Sequence, residues 1–453
     1  MKRLVLCLLF AVSTLLPFLA QAERVKVRIF SNLRVETLNV SFDLGSYDLL
    51  AKRSKTDQQD SLIEGGVGEG MAVILKSTAQ GVSVAINDYF YGIFPEVYLR
   101  ARDTACIMCI NPVNTRQRTY EGDLVVTTIN STALCVINDV EFETYIAGVT
   151  QSEIYGQLSD IFRVQAVISR TWALRNMQKH SKEGYNFCDQ VHCQAYLNRC
   201  VRPDIMLGVI GSFGETIVDN DGALIETPFH ANSGGETANS EDVWSAALSY
   251  LRGVQDTFSC RMRQTEWKNV IPRQKWLNYF RDTHKLNIAN DSIRDELLSF
   301  SQDSGRKARI LGVKLTRVRV DWKLRSTFFT VEDDAANGNV ILHGRGYGHG
   351  VGLSQEGTIR MCNLGFTPDS IIRHYYTGAQ VINSGDVPES YVRRYVNGIE
   401  KIIADDKANP GKTKSKKDDW LGQLFRVHDR QEREEVYKQP KPEEMETDWE
   451  YEW

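Results

Sequence analysis

Residues 159–177 read SDIFRVQAVISRTWALRNM, and the choice of fold class turns on them. Ile161, Val164, Ile168 and Trp172 recur at spacings of three and four, while Arg163, Arg170 and Arg175 fall between. Side chains at that spacing share one face of a helix with 3.6 residues per turn, so the segment predicts an amphipathic helix. Ser159 or Asp160 is the expected N-cap, since either side chain can accept from an orphan amide of the first turn. One strong helix set among strands points to an α+β fold with a β-rich mixed core.

Strand signals lie on both sides of it. "RVKVRIFS" (24–31) alternates Val25, Val27 and Ile29 with charges, and "MAVILKS" (71–77) and "GVSVAIND" (81–88) continue the β character. "GDLVVTTINSTALCVIND" (122–139) predicts two strands around a polar turn, and "GSFGETIVDNDGALIETPFH" (211–230) a hairpin turning at Asn220-Asp221-Gly222. The charged, aromatic stretch 260–305 predicts helices inserted into the core, after which "KLTRVRV" and "FFTVEDD" predict strands. The expected organisation is a removable segment at 1–22, a β-rich region at 23–112, a main domain at 113–387 with its insertion, and a charged, disordered tail at 388–453. Within that tail, "WLGQLFRV" (420–427) is a candidate docking segment.

The removable segment has a basic start at Lys2 and Arg3, an apolar run from Leu4 to Ala20, and "AQA" at 20–22. That is the pattern of a secretory signal, so the mature chain is expected outside the cytoplasm, periplasmic or extracellular, with no later span long enough to cross a bilayer. Fifty-four basic and 58 acidic residues leave a net charge of −4, which offers nucleic acid no electrostatic footprint. The eight cysteines beyond Cys7 permit disulfides in an oxidising compartment, with pairing open.

Four stretches carry candidate chemistry. "HGRGYGHGVGLSQ" (343–355) fails both nucleotide-cradle spacings, having neither Gly-Lys-Ser/Thr nor GxGxxG. Read as extended chain, it puts Gly344, Gly346, Gly348, Gly350 and Gly352 on one face and Arg345, Tyr347, His349 and Val351 on the other. A bare face marks close approach by a ligand or by other backbone, and a tight hairpin using its glycines only for turns is the competing reading. "FHANSGGETANSEDVW" (229–244) suits hydrogen bonding to a polar ligand through Asn232, Ser233, Gly234 and Gly235, or capping of its own backbone; Ala231 spoils a serine-nucleophile elbow. "YIAGVTQSEI" (145–154) places Glu153 just before the loop that opens the amphipathic helix; partial desolvation by Ile154 and Tyr155 would raise its carboxyl and make it an acid near neutrality, and an exposed surface glutamate is the competing reading. "CDQVHCQAY" (188–196), with His180 upstream, offers Cys188, His192 and Cys193 as zinc ligands or the two cysteines as a disulfide. "CIMC" at 106–109 suggests another disulfide or metal clip.

Taken together, these blocks resemble the stage II sporulation protein D family, also called the amidase-enhancer family. "INDVEFETYIAGVTQSEI", "FRVQAVISRTWAL", "CDQVHCQAY", "SGGETANSEDVWSAALSYLRGVQD" and "GRGYGHGVGLSQEG" with "IIRHYYTGAQV" occur in the family's order, across roughly 115–385. Two departures stand out: "EIYGQLSD" replaces a Trp-Pro loop, and Glu356 replaces the tryptophan of "SQWG".

The resemblance implies a bacterial cell-wall role: lytic transglycosylation of peptidoglycan glycan strands, preferentially peptide-free ones, with Glu153 as general acid and base. It implies a structural zinc on Cys188, His192 and Cys193, with His180 the looser match. Ser233, Gly234, Gly235, Arg345, Tyr347, His349 and Gln355 become expected glycan contacts, with the glycine face as a bed for the polysaccharide. A hydrolase would need a second carboxylate, for which Glu236 and Glu241 are candidates. The rival expectations are a non-catalytic wall-binding activator of a cell-wall amidase and a zinc-dependent hydrolase.

Overall fold

The computed structural model describes residues 24–129 and 132–383; residues 1–23, 130–131 and 384–453, among them the expected removable segment and tail, lie outside the described residues. The chain forms two compact units that divide between Thr216 and Ile217. Helices and strands mix in both, so the α+β, β-rich expectation holds.

The first unit contains two sheets. One has seven strands in the order Phe187–Cys188, Arg24–Ile29, Ala133–Glu141, Asp123–Ile129, Glu96–Ala101, Ser46–Lys52 and Ser61–Gly68. The other has six: Arg118–Glu121, Ile107–Pro112, Thr37–Leu44, Ala72–Thr78, Gly81–Ile86 and Tyr89–Phe94. Period-two alternation buries Leu38, Val40, Val73 and Leu75 from one sheet and Leu49, Val97, Leu99 and Leu124 from the other. The expected division at 112/113 falls inside this unit. Arg24–Ile29 runs antiparallel to Ala133–Glu141, and Ile107–Pro112 pairs with Arg118–Glu121.

Three helices follow these strands: α1 (Phe142–Glu153), α2 (Ser159–Arg175) and α3 (Pro203–Gly211), packed pairwise. The helix predicted at 159–177 is present, with two corrections. Its cap residue is Leu158, with no side-chain cap, and Ser159 is already helical. It is also buried nearly all round, including Gln165, Ser169, Arg170 and Thr171. Arg170, which periodicity assigned to the polar side, is 1% exposed and donates at 2.7 Å from Nε and Nη2 to the two carboxylate oxygens of Glu143 on α1. Counter-charge within reach is what lets a guanidinium occupy a core position.

In the second unit, Asn339–Arg345 is the centre of a three-stranded antiparallel sheet between Glu266–Pro272 and Phe329–Asp334. Trp276, Leu277 and Phe280 of helix Arg273–His284, with Leu297 and Leu298 of helix Asp291–Ser299, pack with Val340 and Leu342 into its core. The 260–305 insertion therefore holds two helices as expected, but it opens on the strand Glu266–Pro272. "KLTRVRV" is corrected from strand to helix over Leu315–Asp321: Leu315 and Val318, one turn apart, are buried, and Val320 is 68% exposed. The hairpin at Asn220-Asp221-Gly222 is present, closed by Asp219 N to Ala223 O at 2.9 Å and Gly222 N to Asp219 O at 3.0 Å.

Candidate functional site

Glu153 ends α1, and Ile154 caps it in extended conformation. It precedes the loop that opens α2, five residues on, as the sequence suggested, but it also lies at the C-terminal end of a helix, α1, that the sequence did not announce. The difference matters electrostatically. A helix N-terminus would stabilise the carboxylate, whereas a C-terminus disfavours it. Burial raises the Glu153 carboxyl above its ordinary value, opposed by the amide of Ala195, which donates to Oε1 at 2.6 Å. The side chain is half-buried, so desolvation favours its protonated form while it stays within reach of solvent.

The loop 188–197 braces that end of α1. Leu197 N donates to Ser152 Oγ at 3.2 Å, and the Tyr145 hydroxyl donates to Gln194 Oε1 at 3.2 Å. Asp189, fully buried at the loop's start, accepts from Phe30 N at 2.7 Å, Ser31 N at 3.0 Å, Ser31 Oγ at 2.5 Å and Arg118 Nη1 at 2.7 Å. Burial would raise its carboxyl, but these donors, Ser31 foremost, together hold it below its ordinary value. Asp189, Gln194 and Ala195 were not singled out from sequence. Their signal was adjacency to Cys188 and Cys193, which says nothing about the role of a backbone amide.

His180, from the segment before it, joins Cys188, His192 and Cys193 of this loop, their ligand atoms all within 4.8 Å of one another. Cys193 Sγ lies 3.5 Å from His180 Nε2 and 3.7 Å from His192 Nδ1, and Cys188 Sγ lies 3.8 Å from His192 Nδ1. Bonds of about 2.0–2.3 Å in a tetrahedron separate ligands by roughly 3.5 Å, so the spacing fits zinc. His180 Nδ1 faces Glu183 Oε1 at 3.4 Å, where a carboxylate would orient the imidazole if it held a metal. None of the eight cysteines among the described residues is disulfide-bonded, Cys106 and Cys109 included.

The second unit gathers the remaining candidates differently from expectation. The glycine stretch is extended only as far as Arg345; Gly346, Gly348, Gly350 and Gly352 take φ of 78°, 120°, 83° and 70°. It does not present a bare face. A Cβ on Gly346 would meet Asn232 O at 2.7 Å and Gly234 N at 2.8 Å, and one on Gly352 would meet Pro228 O at 2.2 Å. The protein's own backbone fills the space assigned to a polysaccharide, and left-handed φ at alternate positions explains the spacing.

The 232–235 loop is likewise tied inward. Ser233 is fully buried and donates to Asp256 Oδ2 at 2.7 Å, while Gly234 N donates to Asn232 Oδ1 at 2.6 Å. Asn232 Nδ2 donates to Glu356 Oε2 at 2.7 Å, and Gln264 N donates to the same oxygen at 3.0 Å, so the glutamate replacing the family's tryptophan anchors this loop. The Gly235 amide donates to Ser233 Oγ at 3.1 Å. Arg345 stacks its guanidinium on Phe328 at 4.0 Å and donates to Gln302 O at 3.3 Å. Gln355 is half-buried at the start of helix Gln355–Asn363.

Tyr347 is 44% exposed, and the half-buried His349 ring lies 5.1 Å from that of Trp244, which is itself exposed. Burial, aided by the Arg319 charge, brings the His349 imidazole down to about 4, so it is neutral at physiological pH. Of the spare carboxylates, Glu241 is ion-paired to Arg252, whose hydrogen bonds pull it down to about 2. Glu236 Oε2 accepts from Arg306 N at 3.3 Å.

Comparison with known proteins bears on these residues directly. The family model described as stage II sporulation protein matches residues 130–206, the span of α1, α2 and the 188–197 loop. The stage II sporulation protein D of Bacillus subtilis is 24% identical over 292 residues, covering 60% of this chain and 82% of the relative. An uncharacterised protein of Brachyspira hyodysenteriae is 25% identical over 282 residues, covering 58% and 72%. The amidase enhancer of B. subtilis is 22% identical over 287 residues, covering 51% and 39%. The resemblance to the stage II sporulation protein D and amidase enhancer family therefore holds, and the family match itself contains Glu153 and the four-ligand loop.

Proposed function

We propose that the chain acts on the bacterial cell wall, outside the cytoplasm, as a peptidoglycan lytic transglycosylase with Glu153 as its acid and base. The observation that carries this reading is a half-buried carboxyl, raised by desolvation and fixed through one oxygen by the Ala195 amide. Protonated, it gives its proton to the glycosidic oxygen as the C–O bond breaks. As carboxylate, it takes the proton of the sugar's 6-hydroxyl, whose oxygen closes a 1,6-anhydro ring. One carboxyl returns to its starting state, and no water enters. Acid–base assistance of this kind is worth about 10²–10⁴-fold.

His180, Cys188, His192 and Cys193 would hold a zinc ion. Four protein ligands close a tetrahedral site, so such an ion supplies structure, ordering the loop whose Ala195 amide positions Glu153. Among the described residues no helix is long and apolar enough to cross a membrane, and the segment read as a secretory signal lies outside them.

A second reading, a non-catalytic activator of a cell-wall amidase, is favoured by the relative named amidase enhancer. Incubation of the chain with peptide-free glycan separates the two: anhydro-ended fragments support the first, and intact glycan together with faster amidase turnover supports the second.

A further inference from the structure

The second unit holds two arginines without an acidic partner, side by side at its glycine stretch and outside the residues that match the family model. Arg319, in the last turn of helix Leu315–Asp321, donates from Nε to Arg325 O at 3.3 Å, and Gly348 N donates to the same oxygen at 3.0 Å. Arg325 sets its own guanidinium 5.7 Å from the centre of the Tyr347 ring and donates from Nη1 to Gln264 Oε1 at 3.3 Å. One carbonyl therefore ties Arg319 to the backbone that carries Tyr347. Among the described residues neither arginine forms an ion pair, whereas Arg317 of the same helix is paired to Asp321 at 2.7 Å. Arg319 is half-buried; burial lowers its guanidinium from the ordinary value, opposed by the Tyr347 phenol and by no carboxylate.

Two aromatic surfaces flank these charges. Tyr347 and Trp244 are 44% and 43% exposed. His349, whose ring lies 5.1 Å from that of Trp244, accepts at Nδ1 from Val351 N at 3.1 Å and also bonds the Phe229 backbone, so main chain holds the imidazole in place.

We infer that Arg319 and Arg325, with the Tyr347 ring, form a subsite for the carboxylate of a sugar acid in peptide-free glycan; the choice of ligand rests on the wall-glycan reading above. In intact wall that carboxyl is an amide, the link to the peptide, and its hydrolysis leaves a carboxylate on every second sugar. A guanidinium presents its donors as a fork that matches carboxylate oxygens. A partly desolvated cation without a countercharge gains more from an anion than an exposed one does. The exposed phenol ring takes the apolar face of the pyranose beside it. A neutral sugar, or one whose carboxyl still carries an amide, gives the guanidiniums no countercharge.

The test is calorimetric titration of the full chain carrying Glu153→Gln with two ligands: a tetrasaccharide alternating N-acetylglucosamine and N-acetylmuramic acid, and the same molecule with its carboxyls converted to methylamides. The acid form is expected to bind roughly tenfold more tightly, the scale of one charge-assisted hydrogen bond, and high salt should shrink the difference. Arg319→Gln with Arg325→Gln should abolish the preference and leave affinity for the methylamide unchanged. Arg325→Gln alone, at an exposed side chain that folding does not need, should reduce it about threefold. Arg317→Gln should leave it intact. Equal binding of the two ligands, binding of neither, a preference that survives the double variant, or tighter arginine-dependent binding of poly(glycerol phosphate) would each overturn the inference. Failure of the wild-type chain to form anhydro ends sinks the transglycosylase reading alone and leaves an arginine-dependent preference standing.

Discussion

Glu143→Gln removes the countercharge of Arg170 while keeping the side chain's size. The pair is bidentate, with both contacts at 2.7 Å, and Arg170 and Glu143 are 1% and 8% exposed. Removing one partner of a buried pair costs about 3–5 kcal/mol, because the other charge stays desolvated and uncompensated. Here the Glu215 carbonyl at 3.1 Å and the Ser212 hydroxyl at 3.4 Å still accept from the guanidinium, which places the expected loss near the lower end, at about 3 kcal/mol. With a urea slope of roughly 1–3 kcal/mol/M, the midpoint of the helical circular-dichroism transition should fall by at least about 1 M. Glu143→Leu combined with Arg170→Met should recover most of that loss, since an apolar pair has no charge to strand. A cost below about 1 kcal/mol for the single variant, or a double variant no better than the single, would refute the claim that desolvated charge locks α1 to α2.

Backbone conformation makes a separate demand on the glycine stretch. Gly352→Ala, with φ of 70° and a Cβ 2.2 Å from Pro228 O, should cost more than about 2 kcal/mol in thermal or urea unfolding, whereas Gly365→Ala, with φ of 85° and open space, should cost about 1 kcal/mol. Equal costs would mean that close approach is not what selects glycine at 352. Metal analysis of chain purified without chelator should find about one zinc per molecule, and Cys193→Ser should lose it together with thermal stability. A Cys188–Cys193 disulfide found by mass spectrometry would contradict that expectation.

The raised Glu153 value sets the pH behaviour. Cleavage needs the protonated form, so activity should fall as pH rises through the folded value, above the ordinary 4.5. Because the folded value exceeds the unfolded one, the stability contributed by this group is present below the ordinary value and is lost over the same rise. Glu153→Gln should flatten the stability profile there; an unchanged profile would place the titration elsewhere.

The extent to which these features were legible in the sequence follows physical range. Period-two strands at 24–29 and 72–78, and the helix at 159–175, declared themselves because burial on one face is a local pattern. Arg170 was misplaced because a buried charge depends on Glu143, 27 residues away. "KLTRVRV" carries both periods, and packing against the Trp276 cluster selects the helical one. The glycine alternation was visible, but its cause was not, since sequence does not distinguish an empty strand face from left-handed backbone pressed against Asn232 and Pro228. Cys188, His192, Cys193 and the more distant His180 were chosen by residue type, and the fold brings all four together. The Ala195 amide had no residue-type signal at all.

The most direct test of the account is mass spectrometry of the products released from peptide-free glycan strands by the wild-type chain and by Glu153→Gln. The account predicts 1,6-anhydro ends from the wild type and none from the variant, with glycan binding retained. Hydrolytic reducing ends from the wild type, or undiminished anhydro products from the variant, would contradict it.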